Sequence, residues 1–235
     1  MCGRAVVINP DGIDRAVFGF SHTLNISAFR PRYNLNPRED IPAVFVDPDR
    51  GHRVLSLLHW NLVPGSVPSR QAAEAFDRQF STFNAKIERV DTAPTFRVPW
   101  RRQRALVIVD GIIEWVGEPG RKIPHLIQQR DGRPFALAGL WDRWVDRAGG
   151  PDLWSCTVLV GPPTPWFARF HHRMGIFLPP VVYDRWLDPD LIDPRAVRAL
   201  IDGHPFPEGE LTARSISTRV NNPRYDAPDC LDPAA

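Results

Sequence analysis

Cysteine is scarce in this chain of 235 residues, with only Cys2, Cys156 and Cys230. Three widely spaced cysteines, an odd number, make neither a disulfide framework nor a pair with metal-ligand spacing. No run of about 18 or more apolar residues occurs, so no segment reads as a bilayer-spanning helix. The opening MCGRAVVINPDG has neither the basic stretch nor the long apolar block of a secretory signal, which makes a cytoplasmic location the expectation. Nucleotide and metal signatures of the types GxxxxGK[ST], GxGxxG, HExxH and CxxC are missing, and no cofactor or metal is expected. Charge of one sign is lacking as well: the formal net charge is +2.

What is present is an ordinary globular composition, 43% hydrophobic and 24% charged, with 25 prolines spread along the chain. Such a proline load argues against long helices. Segments rich in Val, Ile, Leu and aromatics predict strands at Arg4–Ile8, Ala43–Val46, Val54–Trp60, Ala105–Val109, Ile112–Val116, His125–Gln128, Phe135–Leu140 and Cys156–Val160. Asp110-Gly111 between two of them reads as a hairpin turn. Short helices are predicted at Arg70–Gln79 with Ser69 as cap, Pro165–His171, Val181–Leu187, and Pro194–Asp202 between Asp193 and Gly203. No repeat or linker interrupts residues 1–235. The expected fold is α+β, a single domain on a curved, barrel-like antiparallel sheet with short flanking helices.

Positive charge is carried mainly by arginine, clustered at Arg30/Arg32, Arg97/Arg101/Arg102/Arg104 and Arg219/Arg224. The planar guanidinium fork suits phosphate, and local basic patches on a nearly neutral protein suit a single nucleic-acid strand. Solvated surface arginine is the plainer reading of each cluster. Cys156 lies in an apolar run and reads as a buried small hydrophobe. Cys2 differs by position. Methionine is normally removed before a small second residue, which leaves Cys2 with an α-amine and a thiol on adjacent carbons. Their reference pKa values are about 7.7–8.0 and about 8.5, so both are partly unprotonated near neutrality. An aldehyde can form a Schiff base with the amine, and the thiol can close it into a five-membered thiazolidine.

Seven short motifs follow in order: Met1-Cys2-Gly3-Arg4, Pro31-Arg32-Tyr33-Asn34-Leu35-Asn36-Pro37, Asn84-Ala85-Lys86-Ile87-Glu88, Asp110-Gly111-Ile112-Ile113-Glu114-Trp115, Ala138-Gly139-Leu140-Trp141, His171-His172-Arg173-Met174 and Ser217-Thr218-Arg219-Val220-Asn221-Asn222. Each is weak alone; the ordered set, from Cys2 to about Pro233, resembles the SRAP family of abasic-site processing proteins. The resemblance implies that Cys2 forms a thiazolidine with the ring-opened sugar of an abasic site in single-stranded DNA and shields it during replication. It implies a hydrogen-bonding role for Asn84 beside the cysteine and Schiff-base assistance by Glu114. Glu114 stands between Ile112-Ile113 and Trp115, on the face of Ile112, where a carboxyl tends toward a raised pKa. Aligned on Arg173-Met174, His171 takes the proton-shuttling place and His172 replaces an acid.

Arg4, Lys86 and Arg219 match basic residues that contact phosphates, Lys86 standing in place of an arginine. Trp60 sits where the family has a tryptophan beside the lesion, and Pro31 and Asn222 match further lining of the site. Two stretches depart from the family pattern: Trp60-Asn61-Leu62-Val63-Pro64-Gly65-Ser66 lacks a glycine, at Asn61, and a second aromatic after Gly65, and Val160-Gly161 replaces a pair of threonines. These touch the DNA groove rather than the set Cys2, Asn84, Glu114 and His171. The implied partners are abasic single-stranded DNA and replication-associated proteins, with nucleoid association, no membrane, and a monomer sufficient for the task. The implied activity is lyase-type Schiff-base chemistry with self-processing of Met1. Two other classes remain: a peptidase or amidohydrolase using Cys2 for acyl transfer, and a noncatalytic single-strand binder.

Overall fold

The computed structural model describes residues 3–9 and 13–234. Its first strands are β1 (Ala5–Val7), β2 (His22–Leu24), β3 (Arg32–Leu35), β4 (Asp40–Val46), β5 (Arg53–Trp60) and β6 (Asn84–Lys86). Then come β7 (Arg104–Val109), β8 (Gly111–Val116), β9 (Ile123–Gln129), β10 (Phe135–Trp144) and β11 (Leu153–Gly161). The short β12 (Met174–Gly175) and β13 (Phe177–Leu178) precede β14 (Leu211–Ser215). The α-helices are α1 (Arg15–Phe18), α2 (Arg70–Gln79), α3 (Arg97–Arg102), α4 (Tyr183–Trp186) and α5 (Pro194–Asp202).

Five strands close on themselves. β5–β4–β7–β10–β11 are paired antiparallel in that order, and β11 returns to β5 in parallel, Ser155 beside His59 and Cys156 beside Trp60. The expected curved sheet is thus a closed mixed barrel. Beside it lies a wholly antiparallel sheet in the order β14-β9-β8-β1-β3. Apolar residues on both parities of a strand find cover. Ala105, Val107 and Val109 of β7 join one core cluster, whereas Leu106 and Ile108 join another with Trp100 and Trp186. That explains an apolar run without alternation. Cys156 is fully buried, as its run predicts, and Cys230 is buried in a third cluster.

All eight predicted strands form, but the Asp110-Gly111 hairpin does not. β7 pairs with β4 and β10, and β8 pairs with β1 and β9, so the dipeptide carries the chain from barrel to second sheet. Asp110 ties this crossing to the end of β1: its Oδ2 accepts the amides of Ile8 (2.6 Å) and Asn9 (3.2 Å). A Cβ on Gly111 would stand 2.6 Å from Leu126 Cδ1 and 3.0 Å from the Ile127 carbonyl, so any larger residue would have to displace the Leu126 side chain.

Helices α2 and α5 match their predicted bounds, with Ser69 and Asp193 accepting first-turn amides. Pro165–His171 holds only a 3-10 turn at Phe167–Arg169, and Val181–Leu187 splits into a 3-10 turn and α4. Helix α3 was not legible because of Pro99. That proline occupies the first turn, where amides have no intrahelical partner and a missing N–H costs nothing.

Arg104 corrects the reading of its arginine cluster as a phosphate surface. It is buried and donates to the carbonyls of Trp186 (2.6 Å), Trp100 (3.1 Å) and Arg101 (2.7 Å), closing the ends of α3 and α4. Burial lowers its pKa to about 10. The two departures near Trp60 have structural causes too. Asn61 is buried; its amide donates to Asp77 Oδ1 (2.7 Å) and the Phe80 carbonyl (3.0 Å), and its Oδ1 accepts the Thr82 amide (2.7 Å). At position 65 a Cβ would meet the Arg143 carbonyl at 2.6 Å, so only glycine fits. No helix among the described residues is long and apolar enough to cross a membrane.

Candidate functional site

The second sheet delivers the start of the chain to Glu114. β1 pairs with β8 as Ala5 with Ile112 and Val6 with Gly111, and the Ile113 amide continues the ladder to the Arg4 carbonyl at 3.0 Å. From Arg4 the chain continues back through Gly3 toward the Glu114 end of β8. Cys2 itself lies outside the described residues. Alternation places Glu114 on the face of Ile112, as the sequence predicts, and only 3% of it is exposed. Its Oε1 has no hydrogen-bond partner among the described residues. Burial pushes its pKa up to about 7, so the carboxyl is about half protonated at neutral pH.

His125 on β9 stands directly opposite Glu114. Its Nδ1 lies 3.0 Å from the Ile123 carbonyl, which can only accept, so Nδ1 carries a proton. The His125 ring also packs at 5.7 Å on Phe170, the residue before His171. His171 Nδ1 is 3.0 Å from both the amide nitrogen and the carbonyl oxygen of Arg173. Nδ1 therefore has a partner whether it accepts or donates, and the ring keeps its orientation as its proton moves. Burial lowers the His171 pKa, which favours the neutral ring near neutral pH. His172 stacks on it at 4.2 Å but is itself exposed. Lys122 acts electrostatically on both Glu114 and His171, which places the two acid–base groups in one field.

Asn84 reaches the same neighbourhood by another route. Where β5 leaves the barrel, β6 takes its place alongside β11, pairing Asn84 with Val158 and Lys86 with Val160. β12 pairs Gly175 with the same Val160 from the other edge. An ion pair between Arg173 and Glu88 then joins the segment after Asn84 to the segment after His171. Asn84 thus lies along β11, the strand that β12 after His171 also joins, and Phe170 links the His171 segment to His125 opposite Glu114.

The residues expected to hold DNA divide. Lys86 is exposed beside Asn84. Arg219 is exposed and paired with Asp229, while Asn222 and Pro31 are exposed. The edge that carries them is tied together by Asn34, whose Nδ2 donates to the carbonyls of Asn222 (3.0 Å) and Tyr225 (2.8 Å). Arg4 is half-buried: it bonds Asn34 and the Val220 carbonyl (2.8 Å) and lies 5.2 Å over Trp115.

Trp60 requires a correction. It is fully buried, its Nε1 donates to the Phe83 carbonyl at 3.0 Å, and its ring meets Phe83 edge-on, so no base can stack on it. The sequence reading missed His125 and Lys122, since neither lies in a motif and the register opposite Glu114 carries no local signal. It also passed over Trp115, half-buried beside Glu114, with Nε1 bonded to Asn221 Oδ1 at 2.7 Å. Among the described residues no group of three or more His, Cys, Asp or Glu could hold a metal ion.

A buried acid with a raised pKa and a half-buried histidine linked to the strand opposite it suit proton chemistry. Comparison with known proteins places the chain among described relatives. The chain is 27% identical over 233 residues to the abasic site processing protein YoqW of Bacillus subtilis, covering 99% of each. It is 27% identical over 231 residues to the abasic site processing protein HMCES of Gallus gallus, covering 87% of this chain and 67% of that one. Among solved structures, a protein from Bacteroides thetaiotaomicron superposes with a TM-score of 0.79 at 22% identity, covering 100% of this chain and 98% of the other. A second, from Bordetella bronchiseptica, gives 0.75 at 24% identity, covering 92% and 100%. The sequence profile described as SOS response associated peptidase (SRAP) matches residues 1–223, and the chain therefore belongs to the SRAP family.

Proposed function

We propose that this protein captures abasic sites in single-stranded DNA by forming a thiazolidine at Cys2 once Met1 is removed. The observation that carries the reading is the register that bonds Arg4 to Ile113, next to a buried Glu114 whose pKa is about 7. The α-amine of Cys2 adds to the aldehyde carbon of the ring-opened sugar, and the resulting carbinolamine loses water to give a protonated imine. The thiolate then adds to the same carbon and the electron pair moves to nitrogen. One C–N and one C–S bond form, one water leaves, and nothing is oxidised or reduced.

Glu114, about half protonated at neutral pH, protonates the departing hydroxyl and recovers the proton from the amine. Neutral His171 exchanges a proton with the sugar ring oxygen as the ring opens, held in place by Arg173 in either protonation state. Asn84 orients the reacting groups without titrating. Lys86 and Arg219 hold phosphates on either side. The product shields the lesion while replication proceeds, one monomer per lesion, and Met1 removal is a self-processing step of the same site.

The test is a denaturing gel of the protein with a single-stranded oligonucleotide carrying one abasic site. A denaturant-stable shifted band that needs the lesion and disappears with Cys2→Ala is the expected result. No band, with Met1 shown by mass spectrometry to be absent, overturns the reading.

A further inference from the structure

The buried Trp60 leaves the site without the aromatic face that the sequence assigned to it, and the structure offers another. The segment just before His171 carries Trp166, Arg169 and Phe170, none of them fully buried. Phe170 lies 5.1 Å from Trp166 and 5.7 Å from His125, and these tilted ring contacts make an aromatic chain that begins opposite Glu114. Arg169 lies over both rings, 5.3 Å from Trp166 and 5.4 Å from Phe170, and its Nε is fixed on the Trp166 carbonyl at 3.0 Å. Packing against the core accounts for the inner sides of Trp166 and Phe170. It does not account for a guanidinium held over both rings.

We infer that Trp166, Arg169 and Phe170 form a nucleobase-stacking platform, which takes the unpaired base next to the reacting sugar. This rests on the function proposed above and deepens it. Three features favour a base over another apolar occupant. The top layer is a planar cation that stacks on π-faces while attracting the adjoining phosphate. The platform continues directly into the candidate site through Phe170 and His171. Finally, its rings are already held by the core, so little ordering is needed when a base arrives. Stacking of this kind is indifferent to base identity, as a lesion sensor requires.

The test measures fluorescence anisotropy with a single-stranded oligonucleotide carrying a tetrahydrofuran abasic analogue, which has no aldehyde and cannot crosslink. Trp166→Ala and Phe170→Leu are each expected to weaken binding roughly tenfold. Arg169→Lys, which keeps the charge but loses the plane, is expected to weaken it several-fold. These penalties should collapse when the nucleotides flanking the analogue also lack bases, because the stacking partner is then gone. Penalties that persist on the base-free flanks, or an Arg169→Lys protein that binds like the wild type, overturn the platform. Failure of the wild-type protein to bind any single strand overturns the function beneath it instead.

Discussion

Asp110 and Glu114 stand at opposite ends of one short stretch of chain, both acids, both buried, and both raised in pKa by that burial. The difference is in what their oxygens meet. Asp110 receives two backbone amides from the end of β1, which oppose the effect of burial and make the carboxylate a fastening between two sheets. Glu114 Oε1 meets no donor among the described residues, and its pKa rises to about 7. A buried acid whose hydrogen bonds are made serves structure. One whose Oε1 meets no donor among the described residues, opposite His125, suits the proton transfer proposed for it.

Replacing Glu114 sharpens this contrast most. Glu114→Gln should slow crosslinking roughly a hundredfold in single-turnover gels, while the fold gains stability at high pH. The sign follows from the raised pKa: the protonated acid favours the folded state below about pH 4.5, and that contribution is lost as pH rises through about 7. Denaturant unfolding at pH 8 should therefore show Glu114→Gln more stable than the wild type by up to about 3 kcal/mol. An equal gap at pH 4 would break the argument.

Asp110→Ala should do the opposite, lowering stability by about 2 kcal/mol through two orphaned amides while the folded fraction still crosslinks. A rate loss as large as that of Glu114→Gln would erase the distinction between the two acids. His171→Gln should lower the crosslinking rate about tenfold and flatten the pH–rate profile below neutrality, where the wild-type ring takes up its proton. The smallest effect belongs to the edge: Arg219→Ala should weaken single-strand binding modestly and reduce the salt slope by roughly one.

Much of this arrangement was legible in the chain itself. The eight predicted strands, α2 and α5 form because their apolar spacing and caps are local signals. The face and the raised pKa of Glu114 followed from its neighbours Ile112, Ile113 and Trp115. What failed was long-range. Asp110-Gly111 has hairpin chemistry, yet the strands on either side are each claimed by other partners, so the turn became a crossing. Trp60 matches a motif position, but Phe83 and the barrel wall seal its ring. His125 carried no signal, because its place opposite Glu114 depends on a strand register that no single segment encodes.

The parallel seam between β5 and β11 also sets an order of events during synthesis. Asn84 on β6 gains its place only beside Val158, and His171 follows later still. The proposed nucleophile at Cys2 therefore emerges from the ribosome first, and the groups that activate it are assembled last. A partly made chain carries the thiol and the amine without Asn84 or His171 in place, so under the proposed function only the assisted reaction waits for the closed barrel.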